Sequence, residues 1–266
     1  MSSSQKRISA ITFLASLLFI ACVKIPETGH SVLLLTSPGM ENQLGQDGYK
    51  EVLSKAKLNK DPRLNDILKR VGARIASQTG RSDYKWEYVL IESKEQNAWC
   101  MPGGKIAVYT GILPMMADEA GMATVLGHEV AHATLRHAGQ RISQGMLMNL
   151  GLSMAEVSMG NSQHKNTILG LLGAGATVGV ILPYGRGHET EADLVGLKYM
   201  AKAGYDPRQS VAFWQRFSRS SGGAPPEFLS THPGAATRIR DLQHRLPEAI
   251  PLYENSSQKF GAGEKL

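Results

Sequence analysis

The chain has 266 residues, of which 42% are hydrophobic and 20% charged, and its formal net charge is +6. This length suits one domain with appendages, and the hydrophobic content is enough to bury a sizeable core. The charges are scattered, with no block of five or more like charges, which excludes the basic footprint of a nucleic-acid-binding protein. The sequence also contains no internal repeats.

The first 22 residues resemble the signal peptide of a bacterial lipoprotein. A positive pair, Lys6 and Arg7, precedes an apolar stretch at 8–20 that is too short for a membrane span of about 20 residues. The pattern predicts cleavage after residue 21 and lipid attachment at Cys22, while Val23 favours the outer membrane, facing the periplasm. Ordinary secretion with a free thiol and a retained N-terminal anchor remain as alternatives.

The elements that follow can be predicted in chain order. Turn signals at 22–45 indicate a tether and entry segment, and a helical pattern covers 46–78. Alternation predicts a strand over 85–92, and a second strand is expected over 105–109. The next helix begins after Asp118, a preferred N-cap residue, so that a strand lies beside this helix. Lipidation of one of the two cysteines would leave no intrachain disulfide.

The second half of the chain is predicted to be mostly helical. Its apolar segment at 168–182 is short for a membrane span, so we expect a buried helix or a lid, with membrane dipping as the alternative. We expect a helix at 193–204, another at 208–218, a loop at 221–226 and a final helix up to residue 246. The folded domain is predicted to cover 46–253, followed by a flexible C-terminal tail at 254–266.

The most informative stretch is the H-E-x-x-H motif at residues 128–132. A helix places residues i and i+4 on one face, so His128 and His132 can bind one Zn²⁺ together. Glu129 lies beside them and can act as the base that takes a proton from water. The buried stripe predicted around the motif consists of Met122, Leu126, Val130 and Ala133.

A catalytic zinc site of this kind needs a third protein ligand. Downstream of the motif, the stretch at 188–193 is notable because Glu189 and Asp193 are four residues apart and can face one site from a second helix. One carboxylate could bind the metal while the other orients a histidine. The alternative is an acidic first helical turn. Candidate third ligands are His137, His164, His188, Glu189, Glu191, Asp193 and His232.

Four blocks in order carry a resemblance to a known family, the metallopeptidases that include HtpX and the CAAX prenyl proteases (family forty-eight). The similarity is closest to the bacterial periplasmic lipoprotein branch that includes LoiP and BepA, without the helical repeats that some relatives carry. The blocks are 97–104 (NAWCMPGG) followed by 105–113, 127–132 (GHEVAH) with 136–137, 183–193 (PYGRGHETEAD), and 230–233 (STHP) with 238–239.

The resemblance implies roles for individual residues. It implies that His128, His132 and Glu189 are the zinc ligands, Glu129 the general base, and Asp193 a partner that orients a ligand histidine. His232 could block the open metal position, or stabilise the transition state together with Arg238, or simply cap a loop. His137 is expected to order the end of the motif helix, and Glu191 to lie at the surface or in helix pairing. Cys100 is expected to be a buried, unreactive thiol.

The family further implies a zincin fold of the gluzincin type, mostly helical α+β, with a small sheet beside the motif helix and one zinc ion per chain. The implied activity is an endopeptidase that cleaves unfolded or misassembled envelope proteins, with the outer-membrane assembly machinery as a further partner. An exposed strand edge beside the metal could bind extended polypeptide. Two alternatives remain, namely a largely self-repressed protease that acts as a chaperone or adaptor, and a structural lipoprotein that holds no zinc.

Overall fold

The computed structural model describes residues 22–159, 185–219 and 235–266, together with Phe228 and His232. The predicted signal peptide at 1–21 lies outside these residues. So do the apolar segment at 168–182 and the predicted loop at 221–226, and therefore their structures are not discussed further.

The segment predicted to be a tether is folded against the domain. Two short antiparallel strands, β1 (Cys22–Lys24) and β2 (Ser31–Leu33), form a hairpin whose turn contains Gly29 at a φ of 73°. Ile25 and Leu34 are buried. The prediction of a tether over 22–45 is therefore wrong in this region, because apolar side chains of the segment find a core to pack on.

Two helices occupy the region predicted as one helical stretch at 46–78. Helix α1 (Pro38–Lys55) starts earlier than predicted, since the Ser37 hydroxyl accepts from the Met40 N–H and a proline occupies the first turn. Helix α2 (Pro62–Ala76) is started in the same way, by the Asp61 carboxylate and the proline after it. The core face of α2 is apolar and consists of Ile67, Leu68, Val71 and Ile75.

A three-stranded sheet follows, in which the last strand in chain order lies in the centre. Strand β3 (Glu87–Ile91) pairs in parallel with the central strand β5 (Lys105–Tyr109), and β4 (Ala98–Met101) pairs with β5 in antiparallel register. Strand β4 is an edge strand and packs against the motif helix. Its sequence was recognised only as a family block and was not predicted to be a strand.

The motif helix is buried along its whole length. A short 3-10 turn at Thr110–Ile112 and helix α3 (Leu113–Met116) lead into α4 (Glu119–Thr134), whose N-cap is Asp118, as predicted. All residues of α4 are buried, so the predicted apolar stripe is only part of a helix that is surrounded by protein. The mostly helical α+β fold, with a small sheet beside this helix, agrees with the expectation from the sequence.

Four helices complete the described fold: α5 (His137–Met159), α6 (Arg186–Lys202), α7 (Arg208–Arg219) and α8 (Ala235–Glu254). Helix α6 begins before the predicted stretch at 193–204 and contains both Glu189 and Asp193, and α8 continues through Pro247 and Pro251 beyond the predicted end at 246. Within the described part of the chain, no helix combines the length and the apolar character needed to cross a membrane.

The C-terminal segment, predicted to be a flexible tail, is instead an ordered strap over the start of α4. The Glu119 N–H donates to the carbonyl of Glu264 at 2.9 Å, and the Ala120 N–H donates to the carbonyl of Ala262 at 2.9 Å. These bonds satisfy amides that a helix N-terminus leaves without intrahelical partners. The expectation of a flexible tail was wrong because this pairing uses main-chain groups, which a polar sequence does not reveal.

Candidate metal centre

The candidate site is formed where α4 crosses α6. Helix α4 contributes His128, Glu129 and His132, and α6 contributes Glu189 and Asp193, all of them buried. These two helices share more contacts than any other pair of elements in the described residues. The two i,i+4 spacings seen in the sequence thus face each other across one helix–helix interface.

Two glycines allow this close crossing. A Cβ placed on Gly196 of α6 would lie 2.7 Å from the carbonyl carbon of Gly127 and from the amide nitrogen of His128. A Cβ placed on Gly127 would lie 2.7 Å from the carbonyl oxygen of Gly196. A side chain at either position would force the two helices apart. The main chain that carries His128 therefore lies directly against the helix that carries the acidic residues.

The donor atoms have the spacing of a metal site. The Nε2 atoms of His128 and His132 are 3.0 Å apart, and the Glu189 carboxylate oxygens lie 3.5 Å and 3.4 Å from them. Ligands at about 2.0–2.1 Å around a tetrahedral zinc ion are separated by about 3.3 Å. One donor atom from each of these residues and from His232 lies within 4.8 Å of the others.

The electrostatics of the cluster favour a positive charge at this point. Burial and Arg238 lower the pKa of His128, but hydrogen bonds to Asp193 and Glu189 outweigh them and raise it to about 9. Burial raises the pKa of Glu189, yet hydrogen bonds with His128, His132 and His232 hold that pKa well below its ordinary value. The carboxylate therefore stays ionised, and a proton or a metal cation can supply the positive charge beside it.

The surroundings of Glu129 provide a separate test of whether these residues fit a metal ion. Its Oε1 atom is buried and has no hydrogen-bond partner among the described residues. The Nε2 atom of His232 lies 3.3 Å away, outside hydrogen-bond geometry. A buried carboxylate oxygen without a partner is costly, unless a cation or water completes its surroundings. The nitrogen and oxygen donors of the cluster are those that zinc prefers, so the residues present fit one zinc ion.

Asp193 and Arg238 fix the position of His128. The Nδ1 atom of His128 lies 3.0 Å from Oδ1 of Asp193. The Arg238 guanidinium, which lies 3.8 Å over the Trp214 ring, donates to Asp193 Oδ2 at 2.8 Å and to Glu189 Oε2 at 2.9 Å. The Nη2 atom of Arg238 also lies 2.8 Å from Nδ1 of His128, so Asp193 and Arg238 together hold this imidazole through its Nδ1 side.

His232 is the fourth group of the cluster. Its Nδ1 atom lies 3.1 Å from Nε2 of His128 and 3.0 Å from Oε1 of Glu189. The His232 ring packs at a tilt of 37° against Phe228, with centroids 4.7 Å apart, and Phe228 in turn stacks on Trp214. The structure therefore brings together all the site residues expected from the sequence within the domain. Cys22 lies apart from them, as the first residue of the N-terminal hairpin.

Two residues that the sequence assigned to structural roles lie next to the site. His137 is fully buried, with its Nδ1 atom 2.9 Å from Nδ1 of His132, and its Nε2 atom is 3.3 Å from Oε2 of Glu191. The remaining candidate ligand on this side, His188, lies 3.1 Å from the Gln140 side-chain oxygen through its Nε2 atom. His164 lies outside the described residues.

Comparison with known proteins identifies the family. Residues 62–246 match the model of peptidase family M48, and the chain belongs to this family. It is 37% identical over 221 residues to the mitochondrial metalloendopeptidase OMA1 of Schizosaccharomyces pombe, covering 81% of this chain and 64% of the relative. It is 27% identical over 248 residues to the beta-barrel assembly-enhancing protease of Escherichia coli, covering 89% of this chain and 50% of the relative.

A third relative is the mitochondrial metalloendopeptidase OMA1 of Bos taurus, which is 32% identical over 253 residues, or 86% of this chain and 47% of the relative. The chain thus spans about half to two thirds of the length of these curated relatives. The resemblance seen in the sequence is confirmed at the level of the family. Because relatives are both bacterial and mitochondrial, the comparison does not single out the bacterial lipoprotein branch. The family and the buried donor cluster together support zinc as the cofactor.

Proposed function

We propose that this protein is a zinc-dependent endopeptidase in which His128, His132 and Glu189 hold one zinc ion. The observation that carries the proposal is the buried donor set on two crossing helices, whose mutual spacings of 3.0–3.5 Å suit a tetrahedral ion. Membership of family M48 supports the same activity. When bound, zinc polarises the scissile carbonyl and makes water more acidic.

Glu129 is the general base in this proposal. It follows a ligand residue on α4 directly, and burial raises the pKa of its carboxyl above the ordinary value. A carboxylate with a raised pKa is a stronger proton acceptor, as general base catalysis near neutral pH requires. Glu129 takes the proton from the attacking water and passes it to the leaving amine.

Arg238 and Asp193 act as positioning residues rather than as groups that touch the substrate. The guanidinium donors of Arg238 are directed to Asp193 and Glu189, which ties the metal-binding carboxylate to the partner of His128. His232 lies close to Glu129, with its Nε2 atom 3.3 Å from Oε1. We assign the stabilisation of the transition state to His232 whenever its ring is withdrawn from the metal position.

The proposed substrates are unfolded or misassembled polypeptides of the bacterial envelope. Strand β4 pairs with β5 on one side and, within the described residues, makes no strand pairing on the other. Such an edge binds extended main chain with little regard to sequence, which suits unfolded substrates. One relative is named a beta-barrel assembly-enhancing protease, and this name motivates outer-membrane protein quality control as the setting.

Attachment to the outer membrane through a lipidated Cys22 belongs to the same proposal. It is supported by the signal-peptide pattern of residues 1–21 and by the position of Cys22 at the start of the hairpin. The assembly machinery of the outer membrane is the proposed further partner.

A second candidate function is a self-repressed protease that works mainly as a chaperone or adaptor. The observation that favours it is the placement of the His232 Nδ1 atom, at 3.1 Å from His128 Nε2 and 3.0 Å from Glu189 Oε1. A fourth protein ligand there would close the position that a catalytic zinc site keeps open for water.

The experiment is cleavage of casein by the full chain in detergent, with zinc quantified in each variant. Glu129→Gln should abolish cleavage and keep one zinc per chain, because it removes the base and leaves the three ligands. Glu248→Gln, an exposed residue of α8 paired with Arg245, is the matched control and should cleave like wild type. Cleavage by Glu129→Gln at the wild-type rate would refute the mechanism.

The same assay separates the two candidates. A rise in cleavage by His232→Ala, with zinc retained, would identify the self-repressed form. A loss of cleavage by this variant would instead assign His232 to the transition state. A wild-type protein without stoichiometric zinc would refute both functions.

A further inference from the structure

A path of hydrogen-bonding side chains leads from the candidate ligand His132 to the protein surface. His132 Nδ1 lies 2.9 Å from His137 Nδ1, and His137 Nε2 lies 3.3 Å from Glu191 Oε2. The other Glu191 oxygen lies 2.5 Å from Nδ1 of His30, which is largely exposed in the N-terminal hairpin. The path thus joins α4, α5, α6 and the hairpin, and none of its last three residues is a metal ligand in the proposed function.

The donor and acceptor atoms along this path determine which ring nitrogens carry protons. Two ring nitrogens at 2.9 Å share one proton, because two N–H groups repel each other and two lone pairs do not bond. The Glu191 carboxylate contacts a histidine ring nitrogen through each of its two oxygens, and a carboxylate has only acceptor atoms, so it accepts from His137 and does not donate. His137 must therefore carry its proton on Nε2, and its Nδ1 atom accepts from His132.

The consequence for His132 is a defined tautomer. With its proton on Nδ1, its Nε2 atom presents a lone pair towards His128 and Glu189, as a zinc ligand must. A His188 ring stacked at 4.2 Å and 17° limits rotation of the His137 ring.

We propose that His137 and Glu191 are positioning residues, which hold His132 in the metal-binding tautomer through a histidine-to-carboxylate relay. The proposal rests on the assignment of His132 as a zinc ligand. In this proposal a carboxylate orients each of the two ligand histidines. Asp193 contacts His128 directly, whereas Glu191 acts on His132 through His137. His30 anchors the carboxylate and so connects the N-terminal hairpin to the metal centre.

The test is the affinity of the full chain for Zn²⁺, measured by competition with a chromophoric chelator. Glu191→Gln keeps the shape of the side chain but removes its negative charge and replaces one of its two acceptor oxygens with an N–H donor. Partners of this kind contribute about 10- to 100-fold in metal affinity, so we expect the dissociation constant to rise by about this factor. The control Glu248→Gln should bind zinc like wild type.

Two further readouts distinguish positioning from folding. The melting temperature of the metal-free protein should be nearly the same for wild type and Glu191→Gln, since Glu191 is partly exposed. In zinc-loaded wild type, imidazole ¹⁵N shifts should show His132 protonated at Nδ1 and His137 at Nε2, a result that needs no variant. His137 protonated at Nδ1 would overturn the proposal.

The outcomes also separate this proposal from the function on which it rests. Wild type that binds one zinc ion, with unchanged affinity in Glu191→Gln, would overturn the positioning role and leave the peptidase proposal standing. Wild type that binds no zinc would overturn both.

Discussion

The glycine contact between α4 and α6 provides a quantitative test of how the site is built. In Gly196→Ala, the new methyl group would lie 2.7 Å from main-chain atoms of Gly127 and His128, whereas ordinary contact begins at 3.4 Å. Main-chain atoms in the middle of a helix cannot rotate away. The two helices must therefore move apart, which carries Glu189 away from the histidines.

The expected cost follows from two opposing terms. Forcing an extra methyl group into a packed core costs about 1–3 kcal/mol, and the rigid neighbours here favour the upper part of this range. Replacing glycine with alanine also stabilises the helix by about 1 kcal/mol, because alanine has the higher helix propensity. The expected net loss is about 2 kcal/mol, which for a domain of this size lowers the melting temperature by roughly 4–8 °C. Zinc affinity should fall as well, since metal sites tolerate deviations of only about 0.2 Å.

The assay is urea and thermal unfolding, combined with a zinc competition titration. The matched control is Gly187→Ala on the same helix, where a Cβ would meet nothing within 4 Å. This control should leave zinc affinity unchanged and stability equal to or slightly above wild type. If Gly196→Ala were as stable as Gly187→Ala and bound zinc equally well, the close crossing would not be what holds the ligands together.

Two further predictions concern the surroundings of the site. Glu119→Gln removes the charge that Arg70 and Arg74 share at the start of α4, so the free energy of unfolding in urea should fall by about 1.5–3 kcal/mol; a wild-type midpoint would contradict this. Because burial raises the pKa of the Cys100 thiol well above its ordinary value, this thiol should not react with a disulfide reagent at pH 8 until urea unfolds the chain. Using Cys22→Ser restricts the measurement to Cys100, and rapid reaction of the native protein would show that the thiol is accessible.

The parts of the site that the sequence predicted are those set by local geometry. The i,i+4 spacings of the motif and of Glu189 with Asp193 depend only on the helix repeat, and the Asp118 cap is a contact over three residues. Strand β5 was also predicted with correct bounds. These features need no knowledge of how the elements pack.

Features that depend on main-chain pairing at long range were missed. The strap formed by the C-terminal segment donates no apolar side chains in a regular pattern, and its carbonyl bonds to Glu119 and Ala120 leave no mark in the sequence. The start of α1 was misassigned for a different reason. A serine followed by proline and glycine is a turn signal, but Ser37 with proline at the first helical position is equally a helix start.

Glu191 shows that helix periodicity identifies only those residues that face the metal site directly. Two residues along a helix correspond to a rotation of about 200°, so Glu189 and Glu191 lie on nearly opposite faces of α6. Periodicity therefore excludes Glu191 from the face that binds metal. It does not exclude an effect exerted through an intermediary. His137 starts a new helix after Arg136, whose φ of 58° turns the chain, and this turn places an imidazole between His132 and the far side of α6. Both faces of α6 thereby serve one metal centre, directly through Glu189 and Asp193 and by relay through Glu191.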